Sequence, residues 1–209
     1  MKIGIIGAGA IGKTYGELFK RAGHEVMLSS RNPENIEAGN YQIGTVKQAA
    51  AFGEIIILAV NYRTVDSAID QIKNHLDDKL VIDTTNPLYS DENGNLKQLI
   101  GENEVAGVVM QQKIPNARVA KAFTTLWTGY VEQHSDVLEP SLVMTYAVDE
   151  EKDERVVRQL IEDSGLIPFK VGTVAQSSPL DPGSPLWNVR LTPEQAQEKL
   201  RALRTTVKA

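Results

Sequence analysis

Residues 2–12 read KIGIIGAGAIG, a short β-branched run followed by three glycines spaced as G-x-G-x-x-G. This pattern predicts a strand over Lys2–Ile6 and a helix over Ala10–Ala22. In such a unit Gly7 permits a tight turn, Gly9 admits a phosphate to the backbone, and Gly12 brings the helix close to the sheet. The motif therefore predicts a dinucleotide-binding segment, with an ordinary strand–helix turn as the alternative. The predicted binding residues are Gly7, Ala8, Gly9, Ala10, Ile11 and Gly12.

The end of the second expected strand, Ser29-Ser30-Arg31-Asn32, indicates which dinucleotide is bound. Units that bind NAD place an acidic residue about 20 residues after the glycines, where it accepts hydrogen bonds from the ribose. No carboxylate stands in this segment, so a 2′-phosphate would not be repelled. Arg31 can offer a planar set of donors to that phosphate, and Ser30 and Asn32 can donate further hydrogen bonds. The segment therefore predicts NADP(H) over NAD(H), with a merely solvated Arg31 as the alternative.

Apolar runs and amphipathic segments alternate along the chain and extend the first unit into a larger domain. Strands that alternate with helices predict an α/β fold with a parallel sheet. Ligands of such folds bind beyond the carboxyl ends of the strands. Val60, Asn61 and Asn86 stand at such ends and are candidate contacts, with a purely structural role in their turns as the alternative. The further strands expected up to residue 125 are His24–Ser30, Tyr41–Ile43, Glu54–Val60, Leu80–Asp83 and Arg118–Phe123.

The C-terminal part continues with strands expected at Leu142–Val148 and Ile167–Val171. The helix between them is predicted to begin at Asp149 as N-cap, and Thr192 with Gln195 forms a capping box before the last helix. That helix has an apolar side made of Leu200, Leu203 and Val207. We divide the chain into an NADP-binding core, 1–148, and a C-terminal extension, 149–209, that completes the pocket or a dimer interface. One compact domain is the alternative.

Composition excludes several classes of function. The 209 residues are 42% hydrophobic, which is ordinary for a soluble globular domain. The 22 basic and 27 acidic side chains give a net charge of −5 without a basic block, which disfavours nucleic acid and anionic membranes as partners. The absence of cysteine excludes disulfides, thiolate metal sites and cysteine nucleophiles. No apolar run approaches the roughly 20 residues of a membrane span, and a glycine-rich turn stands at the N-terminus where a signal peptide has its long apolar core, so we expect a cytoplasmic protein.

With these motifs assembled, the chain resembles the NADP-dependent coenzyme F420 (deazaflavin) oxidoreductases. The resemblance rests on GAGAIG, SSRNPE, IIILAV, VIDTTNPL, VAKAFTTLW and IEDSGLIPFKVG, in this order. GAGAIG is shared by many families, whereas VIDTTNPL and KAFTTLW are much more specific. The resemblance implies a Rossmann-type doubly wound parallel sheet with a short C-terminal extension. It also implies a homodimer.

The same resemblance assigns roles to individual residues. Ala8, Ile11, Ser30 and Arg31 would hold NADP(H). Val60, Asn61 and Asn86 would flank the ribose and nicotinamide. Thr124 and Thr125, with Leu126, would stand where the acceptor ring meets the nicotinamide, so these two threonines are the predicted catalytic residues.

Departures from the family leave the acceptor open. No histidine stands near Thr124, and Ser178 takes the place of a family arginine. Hydride transfer between two flat rings depends mainly on orientation. A small carbonyl or imine acceptor would also need a proton donor, for which Tyr62, Thr124, Lys121 and Asp181 are candidates. A non-catalytic NADPH-binding redox sensor or partner subunit is the remaining hypothesis.

Overall fold

The short apolar runs of the sequence form one sheet, and the amphipathic segments between them form helices on both of its faces. The computed structural model describes residues 1–36, 41–134 and 142–206. The strands are β1 Lys2–Ile6, β2 Glu25–Ser29, β3 Gln42–Gly44, β4 Ile55–Leu58, β5 Leu80–Asp83, β6 Leu88–Ser90, β7 Leu96–Gln98, β8 Arg118–Ala122, β9 Val143–Val148 and β10 Ile167–Gly172. The helices are α1 Ala10–Arg21, α2 Val46–Phe52, α3 Val65–Ile72, α4 Ala106–Lys113, α5 Thr128–His134, α6 Glu151–Asp163 and α7 Pro193–Thr206.

The order of the strands identifies where a ligand would bind. Eight strands form one sheet in the order β10-β9-β8-β5-β4-β1-β2-β3, and β6 pairs with β7 in a separate hairpin. From β3 to β8 all neighbours are parallel, whereas β9 runs antiparallel to β8 and pairs in parallel with β10. The chain turns in opposite directions on either side of the β1–β4 pair. Such a switch point opens a crevice at the carboxyl ends of the two strands.

Two helix layers account for burial on both faces of the sheet. One apolar cluster joins residues of α1, α5 and α6 to the sheet, and a second joins α2, α3 and α4 to the other face. Helix α7 packs with Val143, Ala147 and Val171 in a third cluster beside the second. Strand β1 supplies both faces, since Ile5 lies in the first cluster and Ile6 in the second. The α/β fold with a doubly wound, largely parallel sheet is therefore confirmed.

Local details differ from expectation at the C-terminal side. The prediction that Asp149 caps α6 is wrong, because its Oδ1 accepts a hydrogen bond from the Val174 N–H at 2.8 Å and Glu150 stands at the N-cap. The capping box before α7 is present, with the Thr192 N–H on Gln195 Oε1 at 3.0 Å. Val207, expected on the apolar side of α7, lies outside the described residues. None of the described helices has the length and apolar character needed to cross a membrane.

Candidate functional site

A cavity of about 420 Å³ opens at the carboxyl ends of β1, β2 and β4. Its position is the switch point of the sheet, where ligands of open α/β folds bind, and its volume is in the range of small-molecule sites. It is lined by Ile6, Gly7, Ala8, Gly9, Ser29, Ser30, Arg31, Ile36, Val46, Ala59, Val60, Asn61, Thr64, Ser67, Ala68 and Gln71.

The turn between β1 and α1 depends on two glycines. Gly7 has a φ of 119°, a backbone conformation that residues other than glycine rarely adopt. A Cβ there would also overlap the carbonyl oxygen of Ala59. A Cβ at Gly12 would overlap the carbonyl oxygen of Gly7. The Gly7 N–H donates to Ser29 Oγ at 3.2 Å, which ties the turn to the end of β2. The turn is therefore held tightly against both neighbouring strands.

Gly9 stands at the N-cap of α1 and faces open space. Apart from Gly9 itself and its two chain neighbours, no described residue has an atom within 4 Å of the place that a Cβ would take at Gly9. The described structure gives this helix neither a side-chain cap nor an acidic residue in its first turn. The first N–H groups and the positive end of the helix dipole thus remain available for an anion, which is the arrangement found at phosphate-binding helices.

The end of β2 brings the predicted arginine to the same cavity. Ser30 and Arg31 both line it, and Arg31 is the only charged side chain among the described residues that do so. Ser30 Oγ accepts a hydrogen bond from the Asn32 N–H at 3.1 Å, which shapes the turn. Asn32 itself lies outside the lining. A planar cation beside an anion-binding helix end can bind a second phosphate.

The end of β4 and the start of α3 complete the wall. Val60 and Asn61 line the cavity, and Asn61 Oδ1 accepts a hydrogen bond from the Arg63 N–H at 3.0 Å. The side-chain carbonyl is therefore engaged in the turn, so the amide donor is the group that a ligand can use. Thr64, Ser67 and Gln71 were missed by the sequence reasoning. The spacing of Ser67 and Gln71, four residues apart on a helix that follows a strand end, is the signal that could have found them.

Four other predicted binding residues lie away from this cavity. Ala10 lines a separate groove with Lys13 and Tyr41, and Ile11 packs partly buried against the first apolar cluster. Gly12 is buried beneath the turn, where its contribution is close packing. Asn86 lies beside Thr124 rather than in the cavity wall. The structure thus brings together Gly7, Ala8, Gly9, Ser30, Arg31, Val60 and Asn61.

Asn86 and Thr124 form a second polar cluster at the carboxyl ends of β5 and β8. Asn86 Nδ2 donates to the Thr124 carbonyl oxygen at 3.2 Å. Asn86 Oδ1 and Thr124 Oγ1 are both buried and have no hydrogen-bond partner among the described residues. Buried polar atoms are normally paired with protein groups or with water, so these two atoms are free to bond a ligand or a water molecule. Thr125 differs, because its Oγ1 lies 2.7 Å from Thr145 Oγ1 in the core.

Two titratable groups near this cluster have altered acidity. Burial, with the nearby Asp83 and other acidic groups, raises the pKa of Tyr62 to about 12. Burial also raises the pKa of Asp181, an effect that Lys121 and the Ala106 N–H oppose and that Asp83 reinforces. The Tyr62 hydroxyl and Asp181 Oδ1 have no hydrogen-bond partner among the described residues. Both groups are therefore biased toward their neutral, proton-carrying forms.

Solved structures share this fold. A hypothetical protein from Sinorhizobium meliloti is 26% identical, with a TM-score of 0.80 over 92% of this chain and 95% of that one. A protein from Arthrobacter sp. FB24, provisionally described as an F420-dependent NADP-reductase, is 18% identical, with a TM-score of 0.76 over 92% and 99% of the two chains. The 3-hydroxyisobutyrate dehydrogenase of Mycobacterium tuberculosis is 15% identical, with a TM-score of 0.62 over 85% of this chain and 57% of that one. These likenesses confirm the Rossmann-type fold.

A family model also matches the part of the chain that forms the cavity. The matched segment runs from β1 to β5 and includes the glycine turn, Arg31 and Asn61. Residues 2–87 match the family described as NADP oxidoreductase, coenzyme F420-dependent, and this match confirms over these residues the resemblance that the sequence motifs indicate.

Proposed function

We propose that the chain binds NADP(H) and transfers a hydride between the nicotinamide and a flavin-like, deazaflavin-like or other small acceptor. The observation that carries the proposal is the cavity at the switch point, where the open N-terminus of α1 faces a wall whose only charged side chain among the described residues is Arg31. A carboxylate, which would favour NAD(H) and repel a 2′-phosphate, is absent from the described lining.

The residues present fit the adenosine half of this cofactor. The N–H groups at the start of α1 would bind the pyrophosphate, and Ser30 and Arg31 would bind the 2′-phosphate. Gly9, with no atom of the described residues beyond its two chain neighbours within 4 Å of its Cβ position, leaves the space that close approach of the pyrophosphate needs. When bound, the cofactor supplies the hydride, and the chain contributes position and exclusion of water.

The second polar cluster fits the nicotinamide side. Asn86 Oδ1 can accept a hydrogen bond and Thr124 Oγ1 can donate one, so together they match a carboxamide or a ring heteroatom. Of the two predicted catalytic residues we propose Thr124 as the one that meets the nicotinamide, because its hydroxyl lacks a partner in the described structure. The catalytic role of Thr125 stays a prediction, since its hydroxyl is engaged with Thr145 Oγ1 in the core. Trp127, which is 59% exposed, lies two residues after Thr125 and offers an apolar face to a flat acceptor.

The raised pKa of Asp181 favours a second candidate, the reduction of a small carbonyl or imine. Such a reaction needs a proton at the oxygen or nitrogen that gains electrons, and a buried carboxyl whose pKa is raised keeps its proton to higher pH than a solvated one and can donate it. The unpartnered Oδ1 and the neighbouring unpartnered Tyr62 hydroxyl are consistent with this role. A rate of NADPH oxidation that falls as pH rises, and that loses this pH dependence in Asp181→Asn, would support it.

The cofactor assignment is tested by Arg31→Ala, with binding measured by isothermal titration calorimetry. Hydrogen bonds to charged groups contribute about 1.5–3 kcal/mol, so NADPH affinity should fall about 10- to 100-fold while NADH affinity changes little. Arg31→Lys should retain part of the affinity, because it keeps the charge but not the planar donors. Arg155→Ala on α6, an exposed arginine paired with Glu151, is the matched control and should change neither affinity. Equal NADPH affinities before and after Arg31→Ala would refute the phosphate site.

The acceptor is tested by stopped-flow mixing of the NADPH complex with flavins, deazaflavin, quinones and small imines or carbonyls. Oxidation of NADPH by a flat conjugated acceptor supports the first proposal. Oxidation by imines or carbonyls alone supports the second. A protein that binds NADPH tightly and passes its hydride to none of these acceptors would instead be the non-catalytic sensor or partner subunit.

A further inference from the structure

The proposed reaction leaves one buried ion pair without a role. Lys121 Nζ lies 2.9 Å from Asp83 Oδ2, and the two side chains are 0% and 1% exposed. The residues are partners on the adjacent parallel strands β8 and β5, close to the carboxyl end of each. Taking two charges out of water is costly, and an apolar pair of similar volume commonly stabilises a fold as well or better. Stability alone therefore does not explain the pair.

The pair holds the turn that follows β5. Asp83 Oδ1 accepts hydrogen bonds from the Thr85 N–H at 2.8 Å and from Thr85 Oγ1 at 2.7 Å. Lys121 Nζ donates to the Thr85 carbonyl oxygen at 2.8 Å. Both polar groups of the Thr85 backbone are thus fixed by the ion pair. The next residue is Asn86, whose amide donates to the Thr124 carbonyl oxygen.

The segment after β8 is anchored separately. Phe123 has a φ of 60°, an unfavourable conformation for an aromatic residue, which persists only where the surroundings impose it. Its ring lies 4.4 Å from that of Tyr15 and 5.9 Å from that of Phe19, both on α1. The residue that follows this strained position is Thr124. Thr124 is therefore held from two sides, by the packed Phe123 that precedes it and by the Asn86 amide on its carbonyl oxygen, which belongs to the turn that the ion pair holds.

We propose that Lys121 and Asp83 are positioning residues that hold Asn86 Oδ1 and Thr124 Oγ1 toward the nicotinamide. The inference rests on the proposed function. It predicts that the ion pair affects binding of the nicotinamide half of the cofactor and not of the adenosine half. Lys121, which the sequence offered as a proton donor, acts here through Thr85 and not on the substrate.

The test uses Lys121→Met in the full chain, with NADPH and adenosine 2′,5′-bisphosphate as two separate probes. The bisphosphate contains only the adenosine half, so its affinity should stay within twofold of wild type. NADPH affinity should fall about tenfold, and the fluorescence of the bound nicotinamide should change because its surroundings change. Lys79→Met is the matched control, because Lys79 also bonds backbone carbonyls, at 2.8 and 2.7 Å, but lies before β5 at the other end of the sheet. It should lower the melting temperature and leave the ratio of the two affinities unchanged.

A second variant keeps the inference testable if Lys121→Met does not fold. Asp83→Asn combined with Lys121→Met removes both charges, so no unpaired charge is buried. This double variant should recover the melting temperature but not the NADPH affinity relative to the bisphosphate. An unchanged ratio in Lys121→Met, or a double variant that restores the ratio together with stability, would overturn the positioning role. Failure of the wild-type protein to bind NADPH would instead refute the proposed function, and this inference with it.

Discussion

Gly9 and Gly12 stand three residues apart in one turn but have different surroundings. A Cβ at Gly12 would overlap the Gly7 carbonyl oxygen, whereas a Cβ at Gly9 would have no atom of the described residues beyond its two chain neighbours within 4 Å. Gly9 also has φ −78° and ψ −171°, which alanine adopts without strain. Alanine at Gly12 should therefore change mainly the stability of the fold, and alanine at Gly9 mainly the affinity for NADPH.

Gly12→Ala should lower the free energy of unfolding by about 1–3 kcal/mol, the usual cost of overpacking. Gly9→Ala should leave it unchanged or raise it slightly, because alanine restricts the unfolded chain. Gly9→Ala should therefore weaken NADPH binding without a loss of stability, since its methyl group takes the space of the pyrophosphate. Urea unfolding and calorimetric titration measure the two quantities, and a Gly9→Ala protein with undiminished NADPH affinity would contradict the proposed phosphate site.

Residues of the candidate site could be predicted from sequence where their function depends on local structure. The three glycines and Arg31 act through the turn that their own segment forms, so a short motif is sufficient. The hydrogen-bond and ion-pair partners of Thr125 and Lys121 could not be predicted in this way, because Thr145 and Asp83 are distant from them in sequence. Only the pairing of β8 with its neighbours brings those side chains together.

At the scale of elements, Asp181 connects the proline-rich segment 177–185 to α4. Its Oδ2 accepts a hydrogen bond from the Ala106 N–H at 3.2 Å, at the beginning of that helix. Burial raises the pKa of Asp181, so the folded state binds its proton more tightly than the unfolded state does. The resulting stabilisation is present below the unfolded pKa and is lost as the pH rises through the folded pKa.

Asp181→Asn should therefore be more stable than wild type at neutral pH, because it keeps an acceptor for Ala106 and cannot ionise. The difference should shrink below about pH 4, where the wild-type carboxyl is protonated in both states. Melting temperatures of wild type and Asp181→Asn, measured from acid to neutral pH, test whether the difference in stability grows as the pH rises.

Asp91 gives a control of opposite sign, because hydrogen bonds from Asn95 and Asn93 hold its pKa below the usual range. Stabilisation from Asp91 is present above its unfolded pKa and is lost as the pH falls. Asp91→Asn should accordingly lose stability at neutral pH and approach wild type in acid. Asp181→Asn and Asp91→Asn proteins that respond to pH in the same direction would refute the linkage argument.

Elements with strong local patterns could be predicted, and elements that depend on tertiary partners could not. The predicted bounds of Lys2–Ile6 and Leu80–Asp83 agree with the structure. The hairpin of β6 and β7 has no strong local pattern, because its strands have three residues each and are largely solvent-exposed. Asp149 was misassigned because its partner, the Val174 N–H, comes from a distant turn.

At the scale of the whole molecule, the predicted boundary at residue 148 crosses a shared core. Strand β10 lies in the same sheet as the first 148 residues, at its edge beside β9. Val157, Leu160, Ile161 and Leu166 belong to the apolar cluster that also contains Ile3 and Tyr15. Sequence patterns locate such apolar residues, but they do not reveal that β9 reverses direction and carries α6 back over α1.

The full chain should therefore unfold in one cooperative transition, and a fragment of residues 1–148 should not fold. Val157, Leu160, Ile161 and Leu166 are each at most 1% exposed. Burial of such a side chain contributes about 1.5–3 kcal/mol, so these four together contribute an amount comparable to the whole 5–15 kcal/mol net stability of a typical domain. Tryptophan fluorescence and far-UV circular dichroism should give coincident urea transitions for the full chain.

Leu160→Ala should shift both transitions together by about 2–5 kcal/mol, because the cavity weakens a core that both parts share. Two separated transitions, or a 1–148 fragment that unfolds cooperatively, would show instead that the residues after 148 are an independent extension.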